Sequence, residues 1–229
     1  MIKNDEVNPT AGRQAGIYAE YFKRPMDIIL SLIGLIVLFP VLLLAAILVR
    51  VKLGSPILFK QKRPGLNEKV FTMYKFRTMT EEKDENGALL PDSIRLTKFG
   101  ALLRSTSLDE LPELINILKG DMSVVGPRPL RVEYIPYYTE AERKRHSVRP
   151  GLSGLAQING RNTATWEQRF HFDILYVEEI TLMKDIVIIL KTFETAMKRT
   201  DIEGSGLDSA MALHNYRKGL STEEETMDI

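Results

Sequence analysis

Residues 28–49 read IILSLIGLIVLFPVLLLAAILV, an uncharged run broken near its middle by Pro40. As one helix at about 1.5 Å per residue it would be about 33 Å long, enough to reach across a bilayer core. Its flanks are cationic on both sides. Lys23 and Arg24 precede it, and Arg50, Lys52, Lys60, Lys62 and Arg63 follow. The positive-inside bias keeps both ends on the cytoplasmic face, which a straight helix cannot satisfy. Proline removes a helical hydrogen bond and clashes with the preceding turn. Two readings therefore stand: an ordinary kinked span, or a helix bent at Pro40 that enters and leaves through one leaflet.

The rest of the 229-residue chain suffices for one domain with appendages. Its net charge of +1 hides an asymmetry: basic residues gather around the apolar run and through 60–77, while Glu223 to Asp228 is acidic. That pattern suits anionic membrane lipids and phosphorylated substrates. It does not suit nucleic acid, which needs a strongly basic domain. The absence of cysteine excludes a disulfide framework, a thiolate metal site and a cysteine nucleophile. The apolar run starts too far in, and is too long, for a cleaved signal peptide.

Composition divides the chain into a mobile leader (1–20), the membrane helix (21–52), a catalytic domain (53–200) and a tail (201–229). The expected fold class is α+β: the Pro-kinked membrane helix, a small β-hairpin, and several short and interfacial amphipathic helices. Ile57–Gln61 and Val70–Phe76 read as strands joined by a turn at Pro64 and Gly65. Helices are predicted over about Leu96–Leu103 and Leu108–Lys119. Trp166, Phe170, Ile174 and Val177 recur at helical spacing, as do Met183, Ile186, Leu190, Phe193 and Met197. The second of these helices is apolar enough to lie in a core or a membrane interface.

Ser107-Leu108-Asp109-Glu110 has the spacing of a capping box. It also places two adjacent carboxylates about 100° apart on a helix, able to serve different partners, with the helix N-terminus favouring the Asp109 anion. Arg104, Lys119 and Arg128 bracket the pair. Two carboxylates among cations, without a Ser/His/Asp arrangement, suit a Mg²⁺-bridged phosphate reaction. Alternation puts Lys60 and Lys62 on one strand face and Lys75 and Arg77 on one face of the next. Each pair is either a solvated face or part of a diphosphate site. The glycine-rich stretch from Arg149 to Gly154, continued by Gln157, Asn159, Gly160, Arg161 and Asn162, suits base or sugar recognition or a tight turn; it matches no standard phosphate loop. His146 and His171 lack metal-ligand spacing. Trp166 reads as a packing or interfacial anchor.

Five separated motifs agree in order: Lys75-Phe76-Arg77-Thr78-Met79; Arg104 with Ser107 to Pro112; Leu118-Lys119-Gly120-Asp121-Met122-Ser123; Gly126-Pro127-Arg128-Pro129; and Arg149-Pro150-Gly151 through Gly160-Arg161-Asn162. Over about residues 20–200 they resemble the bacterial sugar transferase family, the monotopic phosphoglycosyl transferases. The absence of a large N-terminal extension resembles the family's small form. The stretches 66–71 and 145–151 look most like members that handle N,N′-diacetylbacillosamine. The resemblance implies a re-entrant membrane helix broken at Phe39-Pro40, Mg²⁺, a UDP-sugar donor, release of UMP and a polyprenyl (undecaprenyl) phosphate acceptor at the cytoplasmic face of the bacterial inner membrane. It implies Asp109 as nucleophile and metal ligand, with Glu110 as its partner. Arg104 and Arg128 then hold phosphate, aided by Lys62, Arg63, Lys75 and Arg77, while Gln157, Asn159 and Arg161 form a substrate loop. Phe39 departs from the family, which commonly has Ser before the proline; a Ser hydroxyl can satisfy the carbonyl that proline leaves unpaired, and Phe cannot. The rival reading is a membrane-tethered scaffold that grips anionic ligands without catalysis.

Overall fold

The computed structural model describes residues 16–159, 164–198 and 212–219. The apolar run forms two helices rather than one. After a π-helical turn at Tyr18–Phe22, α1 spans Lys23–Val37 and α2 spans Phe39–Leu53. They meet at Leu38 with a bend of 64°. The break thus falls two residues before Pro40, which sits in the first turn of α2, where its missing N–H goes unused. The Leu42 amide donates across the proline to the Leu38 carbonyl at 2.8 Å. Among the described residues no single helix is long and apolar enough to cross a membrane, but this bent pair together has the length and composition.

Strands β1 (Leu58–Pro64) and β2 (Val70–Phe76) pair antiparallel, with Lys62 opposite Thr72 and Phe59 opposite Lys75. Directly opposed residues share a face. Arg63, Phe71, Met73 and Lys75 therefore turn inward, and Lys60 and Lys62 turn outward. Short helices α3 (Asp92–Arg95) and α4 (Lys98–Ser105) follow, then α5 (Glu113–Lys119). A second pair, β3 (Ser123–Val125) with β4 (Gly151–Ser153), is parallel. Between its strands lie 3₁₀ turns at Val132–Tyr137 and Lys144–Ser147 and helix α6 (Glu140–Arg143). Helices α7 (Leu155–Asn159), α8 (Trp166–Glu178) and α9 (Leu182–Lys198) complete an α+β architecture, and residues 213–219 are also helical.

The membrane-type helices are docked on this domain rather than hung from it. A Cβ on Gly34 of α1 would lie 3.4 Å from the Leu114 side chain of α5. Arg24 donates to the Ile117 and Leu118 carbonyls at the C-terminus of α5 (2.8 and 3.2 Å), where cations favour the helix dipole. Buried Asp27 accepts from the Ser123 hydroxyl at 2.7 Å and the Val124 amide at 3.0 Å, both on β3. Lys23 then bridges Asp27 (3.2 Å) and Asp185 of α9 (2.9 Å). On the other arm, Ala45 and Val49 of α2 pack with Phe76 and Leu103.

Several expectations are corrected here. The capping box at Ser107 does not form: Ser107 adopts a left-handed conformation (φ 55°) and caps nothing, and Leu108–Glu110 is one 3₁₀ turn. The helix starts only at Glu113, after Pro112, although Leu111 and Pro112 already have helical angles (φ −55° and −61°); the left-handed Ser107 and the 3₁₀ turn separate it from α4. Asp109 is therefore not at an α-helix N-terminus. His146, by contrast, agrees with its lack of metal-ligand spacing: it is a packed core residue, 6 % exposed, beside Tyr138. Part of the stretch read as a tail is structured. Leu213 is fully buried among Leu130, Tyr134, Tyr138, Trp166 and Phe170, and Arg217 pairs with Glu142. The end of the stretch read as a mobile leader is also structured, since Tyr18 opens the π-helical turn and bonds Asp185; leader residues 1–15 and tail residues 201–211 and 220–229 lie outside the described residues.

Candidate active site

The 3₁₀ turn after α4 presents Asp109 and Glu110 to different surroundings. Glu110 is clamped: its Oε1 accepts from Lys75 Nζ at 2.6 Å and from Arg128 Nη2 at 2.7 Å. Burial alone would raise its pKa, but Arg128 and Lys75 outweigh burial and hold the carboxyl well below the usual range. Asp109, only 8 % exposed, accepts no hydrogen bond and forms no ion pair among the described residues. Burial, then the adjacent Glu110 charge, pushes its pKa up to about 6 against the pull of Lys75, Arg104 and Arg128. One carboxylate is neutralised and held; its neighbour is left bare.

Each cation arrives on a different element. Lys75 comes from the inward face of β2 and also lies 3.3 Å from Glu113 on α5. Arg104, in the last turn of α4, donates from Nε to Thr78 Oγ1 at 3.0 Å and makes no other hydrogen bond or ion pair among the described residues. Helix α4 can lie this close because position 100 is glycine: a Cβ there would meet the Thr78 carbonyl oxygen at 1.8 Å. Arg128 follows β3, and its backbone is pinned. Arg145, itself in a buried pair with Asp173 of α8 (2.7 Å), donates to the Arg128 carbonyl at 2.7 Å. The neighbouring glycines are a packing requirement, since a Cβ on Gly151 would lie 2.1 Å from the Gly126 amide nitrogen.

The remaining sequence-predicted residues lie elsewhere. Lys62 is on the outer hairpin face, donating to Thr72 Oγ1 at 3.1 Å. Arg63 is buried and donates to Gln61 at 2.7 Å. Arg77 spends one guanidinium nitrogen on the Ser55 carbonyl (2.9 Å) and Glu81 (3.5 Å). Gln157 and Asn159 donate back to the Leu152 and Leu155 carbonyls, and Arg161 lies outside the described residues. Glu113 escapes a reading of 108–119 as one helix, in which it is merely a second-turn acid; in the structure it opens α5.

No group of three or more His, Asp or Glu side chains among the described residues is arranged to hold a metal. Mg²⁺ needs only one or two protein carboxylates when substrate phosphates and water complete its shell. The open carboxylate of Asp109 fits that demand.

The stretch of chain that builds this cluster is similar to known proteins. The model of the bacterial sugar transferase family matches residues 18–199. The uncharacterized sugar transferase EpsL of Bacillus subtilis is 49 % identical over 181 residues, covering 79 % of this chain and 90 % of the relative. A UDP-glucose:undecaprenyl-phosphate glucose-1-phosphate transferase from Klebsiella pneumoniae is 42 % identical, and a UDP-N-acetylgalactosamine-undecaprenyl-phosphate N-acetylgalactosaminephosphotransferase from Aeromonas hydrophila is 35 % identical. They cover 75 % and 79 % of this chain, whereas the chain spans 39 % and 44 % of these longer relatives. Because the match runs from the π-helical turn through α9 and includes the dyad with all three of its cations, the chain belongs to the bacterial sugar transferase family.

Proposed function

We propose that this protein transfers a sugar 1-phosphate from a UDP-sugar to undecaprenyl phosphate, releasing UMP, as the initiating membrane step of glycoconjugate assembly. The observation that carries the chemistry is the bare Asp109 carboxylate beside a Glu110 already neutralised by Lys75 and Arg128. An Asp109 oxygen attacks the sugar-bearing phosphorus. The bond from that phosphorus to the bridging oxygen breaks, and UMP leaves with that oxygen and the electron pair. A phosphate oxygen of the lipid then attacks the same phosphorus and releases Asp109. Both attacks bring anion to anion, so the guanidinium groups of Arg104 and Arg128 offset the repulsion. Asp109 would be the residue to hold Mg²⁺, which would supply neutralising charge to the diphosphate. Glu110 orients the dyad or takes the proton of the incoming phosphate.

The bent α1–α2 pair supports a re-entrant hairpin that holds this site at headgroup depth. One arm packs on α5 and the other on β2, the strand that bears Lys75, and the lipid substrate never has to leave the bilayer. For the sugar, N,N′-diacetylbacillosamine or another N-acetylated hexose is supported by the 66–71 and 145–151 stretches. The Aeromonas relative's N-acetylated substrate agrees, while the Klebsiella relative uses glucose.

A UMP-release screen with Mg²⁺, undecaprenyl phosphate and UDP-sugars, including the glucose and galactose forms, tests the activity; no release with any donor refutes it. Enzyme given the active donor without lipid should gain a phosphosugar mass on Asp109, and turnover without a trappable adduct favours direct transfer. Tags at the two termini should both be reached from the cytoplasmic side only. Labelling from opposite sides makes the segment a true span.

A further inference from the structure

Glu113 is the carboxylate that the reaction above does not use. It is 2 % exposed, its Oε1 is buried without a hydrogen-bond partner, and its nearest cation, Lys75 Nζ, is 3.3 Å away. Lys75 makes its short contact with Glu110 instead, at 2.6 Å. A buried carboxylate with one long ionic contact is a poor stabilising device, because desolvation can exceed the Coulombic gain. Because Lys75 keeps its 2.6 Å partner Glu110, loss of the Glu113 charge would not strand the ammonium, so the pair gives little stability reason for an acid here. Glu113 therefore needs another reason to be acidic.

Lysine is a compact charge on a flexible stem, and Lys75 stands within the electrostatic reach of Asp109 as well as Glu110 and Glu113. Glu110 already shares its Oε1 with Arg128. Burial pushes the Glu113 carboxyl up to about 7 against the pull of Lys75; without the negative charge it retains behind Lys75, the ammonium would recentre toward the unpaired Asp109 and cover the oxygen that must attack phosphorus. We propose that Glu113 is a positioning residue: it tethers Lys75 on the Glu110 side of the dyad and so keeps Asp109 uncovered. This rests on the reading of Asp109 as nucleophile.

The test is single-turnover adduct formation without lipid acceptor, using the UDP-sugar that gives the largest wild-type UMP burst, together with melting temperature in detergent. E113L should form the aspartyl adduct at least tenfold more slowly, with a melting temperature unchanged or higher. E113Q, whose side-chain carbonyl still accepts from Lys75 without the charge, should fall between. A purely structural ion pair gives the opposite pattern: a lower melting temperature and a rate reduced only in proportion to lost folded protein. That pattern, or an E113L rate within twofold of wild type, overturns the proposal. Should E113L fail to fold, E113Q decides: threefold slowing without a lower melting temperature supports the tether, and anything less refutes it. A wild-type enzyme that never forms the adduct overturns the nucleophile reading and this inference together, whereas a normal adduct rate in E113L overturns this inference alone.

Discussion

Asp109→Asn should abolish UMP release and sugar transfer, by more than about 10⁴-fold, while the protein still extracts with membranes. The asparagine is nearly isosteric, and the native carboxylate makes no hydrogen bond or ion pair among the described residues that the amide could break. The fold should therefore survive, and the loss reports chemistry. The variant lacks both the anion that would attack phosphorus and the ligand available to Mg²⁺. Glu110→Gln should behave differently, because Glu110 holds two cations (2.6 and 2.7 Å) that would be left without their acceptor charge. It should disturb both stability and activity. Asp109→Asn retaining even a hundredth of wild-type turnover would sink the covalent mechanism.

The second large effect lies far from the chemistry, at Asp27. Its replacement by alanine should destabilise the protein by about 3–5 kcal/mol, since removing one member of a buried ionic cluster strands the others. The Val124 amide loses its acceptor, the Ser123 hydroxyl is left with the Val125 carbonyl at 2.9 Å, and Lys23 loses one of its two carboxylates. Lys23 keeps Asp185, and Asp185 keeps the Tyr18 and Tyr176 hydroxyls at 2.6 and 2.8 Å, so α9 retains some hold on the N-terminal turn. For a chain of this length the expected drop in detergent melting temperature is about 10 °C. Asp27→Asn, which still offers one acceptor to Val124, should lose roughly half of that. A shift below about 2 °C in Asp27→Ala would show that the α1–β3 contact does not hold the hairpin to the domain.

Local pattern made part of this architecture legible. The Trp166 to Val177 and Met183 to Met197 spacings correspond to α8 and α9, and the alternation over 70–76 corresponds to β2. Helix α8 and strand β2 bury one face, so their period is written in the chain, whereas the α9 stripe of Met183, Ile186, Leu190 and Phe193 is periodic but exposed. What depends on pairing was not legible. Lys62 and Lys75 look equivalent in sequence, and only the Lys62–Thr72 register sends them to opposite faces. Asp27 and Ser123 are 96 positions apart, and no short-range pattern announces such a bond. The capping-box spacing misled because it specifies residue types without backbone angle, and Ser107 takes the left-handed region. At the site, the dyad and its flanking arginines stood out as charge in a motif. Their inequality, one carboxylate gripped and one open, needed three dimensions.

Leu213 has a practical corollary for anyone producing this enzyme. The matched segment stops at residue 199, yet the cavity formed by Leu130, Tyr134, Tyr138, Trp166 and Phe170 is plugged from beyond that point. A truncation drawn at the homology boundary keeps every proposed reacting group and uncorks an aromatic hollow. Such a product invites self-association for reasons unrelated to lipid, and its precipitation would be easy to blame on the membrane hairpin.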